Sequence, residues 1–479
     1  MSVRLPVRRF GQRNGMAVKA QTDPRRADAL RNRERILAAA ERMFQRSPSA
    51  SLSEIATAAG VSRSTLHRRF ANRDALLTAL EHRPHDTASA AHRNPLPPGR
   101  LGRERSVSLD AIQVFDVVPP AVLPEQLVAE AQRIAKVPVA LYVLDIDGTH
   151  LLHMAGPKRL PETIDAPLAI GPELDADGLA DLRRHLARVP EAQVFPLWLR
   201  GRANGVMIAF GQPAVPLGEL ARQAAAAITL ADRYTDVFAR AQRRKQPAAA
   251  AEIQQSLLPP RIARVTGGEI AGNVLPSYEV AGDWFDVIEN ADGIWITLAD
   301  GLGGSTRAAA ASAVALGALR ASRRGGSDSA EALVVMHRTL RELPGPRAEM
   351  TAVAARWDPA TGGLTVANCG HVPPVILRQS GDVELLRAPP GPGLGGRSSL
   401  RPAEHATTLT AGDRLVLVSD GVIECGDGKA GLGIDGVIQA ALRSERESAA
   451  DTVRQVHRAV LATSEHLVDD ATVVCLSAE

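Results

Sequence analysis

The chain has 479 residues, a formal net charge of +3 and a hydrophobic fraction of 45%. This length is enough for three domains, and the hydrophobic fraction is ordinary for globular proteins. Three cysteines without a CxxC pair argue against a disulfide framework or a zinc site and favour a reducing cytosol. Because no run of 18 apolar residues and no apolar leader occur, we predict a cytoplasmic protein without a membrane span or signal peptide.

The N-terminal region is rich in arginine. Residues 1–25 mix Arg, Gly and Pro without hydrophobic periodicity, which predicts a disordered basic arm. From about Arg26 the apolar residues take helical spacing, and a second helix, a G-V-S turn and a third helix (RSTLHRRF) follow. A basic end on a nearly neutral chain suggests a nucleic-acid partner, although a solvated basic tail explains the charge equally well.

The segment LSEIATAAGVSRSTLHRRFANRDALLTAL (52–80) resembles the helix-turn-helix of TetR-type regulators. The resemblance implies an all-α domain over residues 26–82 that places a recognition helix in the major groove of DNA. The residues that it implies for DNA contact are Arg63, Ser64, Thr65, His67, Arg68 and Arg69. The large ligand-binding domain of that family is missing, so a helical interaction module without DNA binding is the alternative.

Residues 83–107 are rich in Pro, His, Ala and Arg and predict a linker before a second globular segment, 108–244. Within it, VPVALYVLDIDG predicts an alternating strand, AQVFPLWLRGRANGVMIAFG a hairpin, and the residues from Leu217 to Arg244 one long helix. The segment resembles a GAF sensor domain, which implies an α/β fold with a pocket for an unknown small ligand. A dimerisation module without a ligand is the alternative.

A helical stretch over residues 245–260, interrupted at Pro247 and stopped by two prolines, predicts a linker helix. The long helix before it carries an apolar stripe that would pair two copies in a homodimer. The stripe consists of Leu220, Ala224, Ile228, Ala231 and Phe238.

Four acidic motifs occur in a fixed order in the last two hundred residues. They are AGDWFD (281–286), ADGLGG (299–304), SDGVIE (419–424) and DDATVV (469–474). Each places an Asp at or near the end of an apolar, β-branched run, so strand ends that meet at one edge would gather carboxylates into one pocket. Oxygen ligands without a matching His or Cys set favour Mg²⁺ or Mn²⁺ over Zn²⁺. One such motif alone is more often a hairpin turn.

Together with TAVAARWDPATGGLTVANCGHVPPVIL (351–377), these motifs resemble the SpoIIE/RsbU branch of the PPM-type Ser/Thr phosphatases. The resemblance covers residues 261–479 and implies an α/β/β/α sandwich and two Mn²⁺ or Mg²⁺ ions. It implies that Asp300 bridges the ions. If the segment at Asp469 is a strand, the adjacent Asp470 would project the other way, so Asp469 is the predicted ligand. The implied catalytic and metal-binding residues are Asp283, Asp300, Asp420 and Asp469, joined by the carbonyl of Gly301 as a further metal ligand.

The reaction implied by this resemblance is hydrolysis of phosphoserine or phosphothreonine on a signalling partner by water activated between two metal ions. The implied substrate is a phosphorylated anti-anti-sigma protein of the STAS type. His371 is a candidate proton donor, with a packed turn histidine as the alternative. The competing hypothesis for the whole chain is a DNA-binding transcriptional regulator whose phosphatase-like domain serves as a sensing or interaction platform.

Overall fold

The computed structural model describes most of the chain from residue 118 onwards and short parts of the N-terminal region. The described residues are Ile36, Ala39, Ala40, Met43, 52–61, Leu66 and 118–479 without 167–168, 190, 245–247, 277–281, 304–305, 388–391, 426–430, 464–466 and 468. They fall into two units, one within Met1–Pro97 and one within Pro98–Glu479. The predictions of a basic arm (1–25) and a linker (83–107) lie outside the described residues.

The N-terminal unit contains a short helix and the turn that ends it. Helix α1 spans Leu52–Ala58. Gly60 has a φ of 60°, and the N–H of Val61 donates to the carbonyl of Ala56, so the helix ends in a Schellman turn. This is the turn that the G-V-S sequence predicts. Around it, a small core buries seven residues, namely Ile36, Ala39, Ala40, Ile55, Ala56, Ala59 and Leu66.

The middle domain is a five-stranded antiparallel sheet with helices on both faces. The strand order is β3-β2-β1-β5-β4. Its elements are a 3₁₀ turn (Pro120–Val122), α2 (Leu123–Ala135), β1 (Val139–Leu144), β2 (His150–Ala155), β3 (Thr163–Asp165), α3 (Ala176–Leu186), β4 (Ala192–Leu199), β5 (Arg202–Phe210), α4 (Gly218–Ala231) and α5 (Val237–Ala241). The hairpin β4–β5 confirms the prediction for residues 192–211.

Strand β1 differs from the alternating pattern predicted for it, because all six of its residues are buried. Val139 and Leu141 face the cluster formed with α2 and α4, whereas Tyr142 and Leu144 face α3. A central strand covered on both faces has no solvent side, so polar alternation is not required. The GAF-type identity of this domain and its small ligand stay predictions.

The prediction of a single long helix from Leu217 to Arg244 is wrong. The chain forms two helices, and residues 232–236 break the rod between them. The hydroxyl of Thr235 accepts a hydrogen bond from the N–H of Val237, which starts the second helix anew. The sequence D-R-Y-T-D supplies residues that favour caps and turns over helix interiors.

The apolar stripe of the predicted paired helices packs inside the middle domain instead. All five stripe residues are at most 8% exposed and belong to the core cluster between the helices and the sheet. The expectation that this stripe pairs two copies of the chain is therefore wrong, because its surface is already covered by β4 and α2.

The C-terminal domain consists of two stacked antiparallel sheets between two helix layers. The strand orders are β14-β11-β10-β9-β8 and β13-β12-β15-β16-β7-β6. Its elements are α6 (Ala249–Leu257), β6 (Ile262–Val265), β7 (Gly268–Leu275), β8 (Trp284–Asn290), β9 (Gly293–Gly301), α7 (Thr306–Arg324), α8 (Ser329–Arg341), β10 (Met350–Trp357), β11 (Gly363–Cys369), β12 (Val375–Leu377), β13 (Val383–Leu385), β14 (Ala403–Thr408), β15 (Arg414–Val418), α9 (Asp420–Ile423), α10 (Gly433–Leu442), α11 (Ala449–Thr463) and β16 (Ala471–Ala478).

Three core clusters hold the four layers together. One lies between the sheets and includes Phe285, Leu298 and Leu417. A second packs α7 and α8 on the five-stranded sheet, and a third packs α10 and α11 on the six-stranded sheet. Apolar runs such as WITLA and RLVLV are buried on both faces, as expected for strands between a second sheet and a helix layer. Among the described residues, no helix is long and apolar enough to cross a membrane.

Buried polar contacts join the middle domain to the C-terminal sandwich. The carboxylate of Asp175 caps α3 at the N–H of Gly178 and accepts from the guanidinium of Arg454 on α11, at 3.0 and 3.3 Å. Glu173 accepts from the N–H of Ile262 at 2.7 Å. Since buried charges are tolerated only when they are paired, these contacts fix the position of the two domains.

Arg261 forms a further link between the two domains at this interface. It donates to the carbonyl of Ile146 at 3.0 Å and to the side-chain oxygen of Gln255 on α6 at 2.7 Å. Burial lowers the pKa of Arg261 to about 10, while the nearby carboxylate of Glu173 favours its charge. The guanidinium therefore ties the middle domain, the linker helix and the first strand of the sandwich at one point.

Candidate metal centre

The four predicted aspartates lie at one edge of the sandwich, two from each sheet. Asp283 directly precedes β8, and Asp300 is the penultimate residue of β9 in the same sheet. Asp420 begins the short helix α9 after β15, and Asp469 lies just before β16 in the other sheet. The topology thus brings together motifs that are separated by up to almost two hundred residues in the sequence.

Three of these carboxyls lie in a row, because Asp300 lies beside both Asp283 and Asp420. Burial, followed by repulsion from Asp420, raises the pKa of Asp300 to about 7. Burial and repulsion from Asp300 and Asp470 raise the pKa of Asp283 well above its usual range. Asp469 lies close enough to Asp300 to repel its charge.

The structure assigns different environments to the two adjacent aspartates before β16. Asp469 is exposed, whereas Asp470 is 1% exposed. The N–H of Asp470 donates to the carboxylate of Asp469 at 2.8 Å, which restrains the Asp469 side chain. Asp470 accepts a hydrogen bond from Gln254 of α6.

Hydroxyl groups that the sequence reasoning missed hold the buried acid Asp283. Thr472 donates to its carboxylate at 2.5 Å, and the Ser419 hydroxyl lies beside it. Ser419 accepts from the N–H of Thr472 at 2.9 Å and donates to the carbonyl of Asp470 at 3.1 Å. The motifs S-D-G and D-D-A-T contain both residues, so their position beside predicted ligands was the available signal.

Two glycines allow the backbones at the site to approach closely. A Cβ on Gly282 would lie 2.7 Å from both the Cα and the carbonyl oxygen of Gly301, and one on Gly421 would lie 2.2 Å from the carbonyl oxygen of Asp470. Real Cβ atoms do not come this close to backbone atoms. Glycine at these positions is therefore required by packing rather than by backbone dihedral angles.

His371 lies beside the site, but its environment does not suit a proton donor. Its Nδ1 is 2.7 Å from the hydroxyl of Thr351, which pairs with Asp300 across the sheet. Burial lowers the pKa of His371 to about 4, so the ring is neutral near pH 7. The Asn368 side chain also donates to the carbonyl of His371 and accepts from its N–H. These contacts favour the packed turn histidine over the proton donor.

The donor set fits hard divalent cations. Among the described residues, no three His, Cys, Asp or Glu side chains are already arranged around a common point as metal ligands. The four aspartates nevertheless offer only oxygen donors, and their mutual repulsion, seen in the raised pKa of Asp300, would be relieved by positive charge. This chemistry suits Mg²⁺ or Mn²⁺ and not Zn²⁺.

Two parts of the chain match known protein families. Residues 290–479 match the family model described as Stage II sporulation protein E (SpoIIE), and residues 36–80 match that of bacterial regulatory proteins of the tetR family. The chain carries a SpoIIE domain and a TetR-type N-terminal domain. The protein is thus multidomain, with a TetR-like N-terminal region and a C-terminal PP2C-like phosphatase fold.

Individual relatives cover only parts of the chain. The phosphoserine phosphatase RsbU of Bacillus subtilis is 24% identical over 176 residues, which are 37% of this chain and 52% of RsbU. The uncharacterised HTH-type transcriptional regulator Rv1255c of Mycobacterium tuberculosis is 48% identical over 90 residues, 18% of this chain and 36% of the relative. A solved structure of the RsbU and RsbW domains of Rv1364c from the same species is 23% identical, with a TM-score of 0.41, covering 46% of this chain and 62% of that chain.

Not every predicted site residue can be placed. In the C-terminal sandwich, Asp283, Asp300, Asp420 and Asp469 are described and lie together, and the Gly301 backbone packs against Gly282 beside them. In the TetR-type domain, the predicted DNA contacts lie outside the described residues. These are Arg63, Ser64, Thr65, His67, Arg68 and Arg69.

Proposed function

We propose that the SpoIIE domain is a metal-dependent protein phosphatase that hydrolyses phosphoserine or phosphothreonine on a partner protein. The observation that carries this proposal is the row of Asp283, Asp300 and Asp420, with Asp469 beside it, at the edge shared by two sheets. The match to the SpoIIE family and the likeness to a phosphoserine phosphatase support the same reaction class.

The four aspartates and the Gly301 carbonyl would hold two divalent cations, Mn²⁺ or Mg²⁺. When bound, such ions acidify a water molecule and neutralise charge on the phosphoryl oxygens. The buried hydroxyl of Thr472 orients Asp283, and Ser419 holds Thr472 by accepting from its N–H, so the acid is fixed before substrate arrives.

A covalent phosphoenzyme on cysteine does not fit the described residues. Cys369, Cys425 and Cys475 are all buried. Burial raises the pKa of Cys369 and of Cys475 to about 12, so neither is a thiolate near pH 7. Direct attack by water on phosphorus is therefore the mechanism that we propose.

The substrate that we propose is a phosphorylated anti-anti-sigma protein of the STAS type. The support is the resemblance of the four motifs to the SpoIIE/RsbU branch, together with the similarity to RsbU. Incubation of the chain with a serine-phosphorylated STAS protein and Mn²⁺ should release inorganic phosphate. Hydrolysis of a generic phosphopeptide but not of this class of protein would point to a different partner.

Hydrolysis of p-nitrophenyl phosphate tests the reaction class. Turnover should require Mn²⁺ or Mg²⁺, disappear with EDTA, and be lost in Asp420→Asn and Asp300→Asn. Asp292→Asn is the matched control, since Asp292 lies in the exposed turn at the opposite end of the β8–β9 hairpin. Unchanged metal-dependent turnover in both site variants, or none in the wild-type chain, would refute the proposal.

A second proposal is that the N-terminal domain binds DNA. It is supported by the tetR family match over residues 36–80 and by the Schellman turn that positions the chain after α1. Fluorescence anisotropy with duplex DNA should show binding that weakens steeply as salt rises, because phosphate contacts release counterions. A double variant with Arg68→Ala and Arg69→Ala should bind DNA more weakly than the wild type. Equal binding by this variant and the wild type would reject the assigned helix.

A further inference from the structure

Helix α6 buries Gln254 at a position on its apolar face where an apolar residue is expected. Ala250, Gln254 and Leu257 follow one another at helical spacing and face the C-terminal domain. Ala250 is 6% exposed and Gln254 4% exposed, and Leu257 packs with the cluster of α7 and α8. Burying an amide away from water is unfavourable unless its hydrogen bonds are replaced, so Gln254 needs partners in the domain.

Both partners of the Gln254 amide are next to, or part of, residues of the candidate metal centre. Its Nε2 donates to the carboxylate of Asp470 at 2.5 Å and to the backbone carbonyl of Asp283 at 2.9 Å. An amide nitrogen has two hydrogens, so its donor capacity is used in full. The side chain therefore connects the segment before β8 with the segment before β16, one from each sheet.

We infer that Gln254 is a positioning residue for the metal centre, acting from outside the two sheets. It fixes the backbone of Asp283 and, through Asp470, the turn that presents Asp469. Asp470 is held on the other side by Ser419, which donates to its carbonyl. The inference rests on the proposed phosphatase function. It adds that the linker helix, and not the sandwich alone, completes the site.

The neighbouring residue provides a matched control. Gln255 lies on the same helix, but its side chain accepts from Arg261 at the interface with the middle domain. It makes none of the contacts described for Gln254 with the aspartates. Replacing either glutamine with methionine keeps an unbranched side chain of similar length and a good helix former. A difference between the two variants therefore isolates the bonds to the metal centre.

The experiment measures Mn²⁺ binding to the full chain by electron paramagnetic resonance of free Mn²⁺, beside p-nitrophenyl phosphate kinetics. In Gln254→Met, Mn²⁺ affinity should fall about 10–100-fold, the usual effect of removing a group that orients metal ligands. At saturating Mn²⁺ the KM should stay close to wild type. Gln255→Met should bind Mn²⁺ as the wild type does, and thermal melts should show both variants folded.

The outcomes separate this inference from the function on which it rests. Wild-type Mn²⁺ affinity in Gln254→Met would overturn the inference and leave the phosphatase proposal intact. Equal weakening in both methionine variants would also overturn it, because the cause would then be the helix as a whole. If Gln254→Met fails to fold, Gln254→Asn replaces it, since the shorter amide cannot reach both partners and should show the same loss. A wild-type chain that neither binds Mn²⁺ nor turns over would refute the function itself.

Discussion

Replacing Glu269 with glutamine tests the electrostatics of the interface between the middle domain and the sandwich. Glu269 lies on β7 and is half-buried. Burial is the main cause that raises its pKa from 4.5 to about 7; Asp175 and Glu479 raise it further, and the cations of Arg264 and Arg454 oppose them. A raised folded-state pKa means that the folded chain binds the proton more tightly. This stability is fully present below pH 4.5 and is lost as pH rises through 7.

The magnitude follows from the size of the shift. A change from 4.5 to about 7 corresponds to about 3 kcal/mol, at about 1.4 kcal/mol per pKa unit. Because water reaches part of this carboxyl, screening reduces the expected value to about 1–2 kcal/mol. The neutral side chain in Glu269→Gln removes this loss, so the variant should match the wild type at pH 4.5 and be more stable at pH 8.

Thermal unfolding followed by circular dichroism between pH 4.5 and 8 measures this difference. At about 2–4 °C per kcal/mol, the variant should melt about 2–8 °C higher than the wild type at pH 8. Glu404→Gln is the control, because Glu404 is exposed on β14 of the other sheet, and its effect should not vary with pH. A Tm difference for Glu269→Gln that is the same at every pH would refute the reasoning.

Three further predictions concern close packing, the buried ion pair and the thiols. Gly421→Ala should lose most metal-dependent turnover, measured as kcat, because its Cβ would lie 2.2 Å from the carbonyl oxygen of Asp470. Arg454→Met should lower the free energy of unfolding by about 3–5 kcal/mol in thermal melts, because it leaves the buried Asp175 without its guanidinium partner. Cys369 should resist iodoacetamide at pH 8 until the chain is unfolded, because burial raises its pKa to about 12; mass spectrometry reports the labelling.

Each of these predictions has a control or a contrary result. Gly317→Ala on α7 should retain turnover, since nothing lies within 4 Å of its added Cβ. Arg446→Met removes a more exposed pair with Asp181 and should change stability by less than about 1 kcal/mol. Equal losses in Arg446→Met and Arg454→Met would contradict the importance of burial. Rapid labelling of Cys369 in the folded chain would contradict its assigned environment.

The sequence predicted those parts of the site that lie within single motifs. Asp283, Asp300, Asp420 and Asp469 each follow or precede a β-branched run, so strand ends could be located without knowing how the strands pair. The hydrogen bond between Gln254 and Asp470 spans 216 positions and depends on where the linker helix packs. The only local sign of this contact is a glutamine at helical spacing between Ala250 and Leu257, and that sign does not identify its partners.

The error in the middle domain has a local origin. The alanines and leucines from residue 217 onwards favour helix, but the sequence D-R-Y-T-D at residues 232–236, where the chain turns, favours caps and turns and was given too little weight. The apolar stripe was real, but periodicity reports only that a face is buried and does not identify what covers it. Here the sheet of the same domain covers it.

The ion pair of Asp175 and Arg454 is one of several contacts that a cut between the middle domain and the sandwich would break. A fragment that begins after the linker helix would keep only one partner of each contact, for example the N–H of Ile262 and the guanidinium of Arg261. A different domain grafted at that point would have to supply matching carboxylates at the same places. The middle domain and the sandwich therefore form one compact unit, and a boundary drawn between them would break its buried contacts.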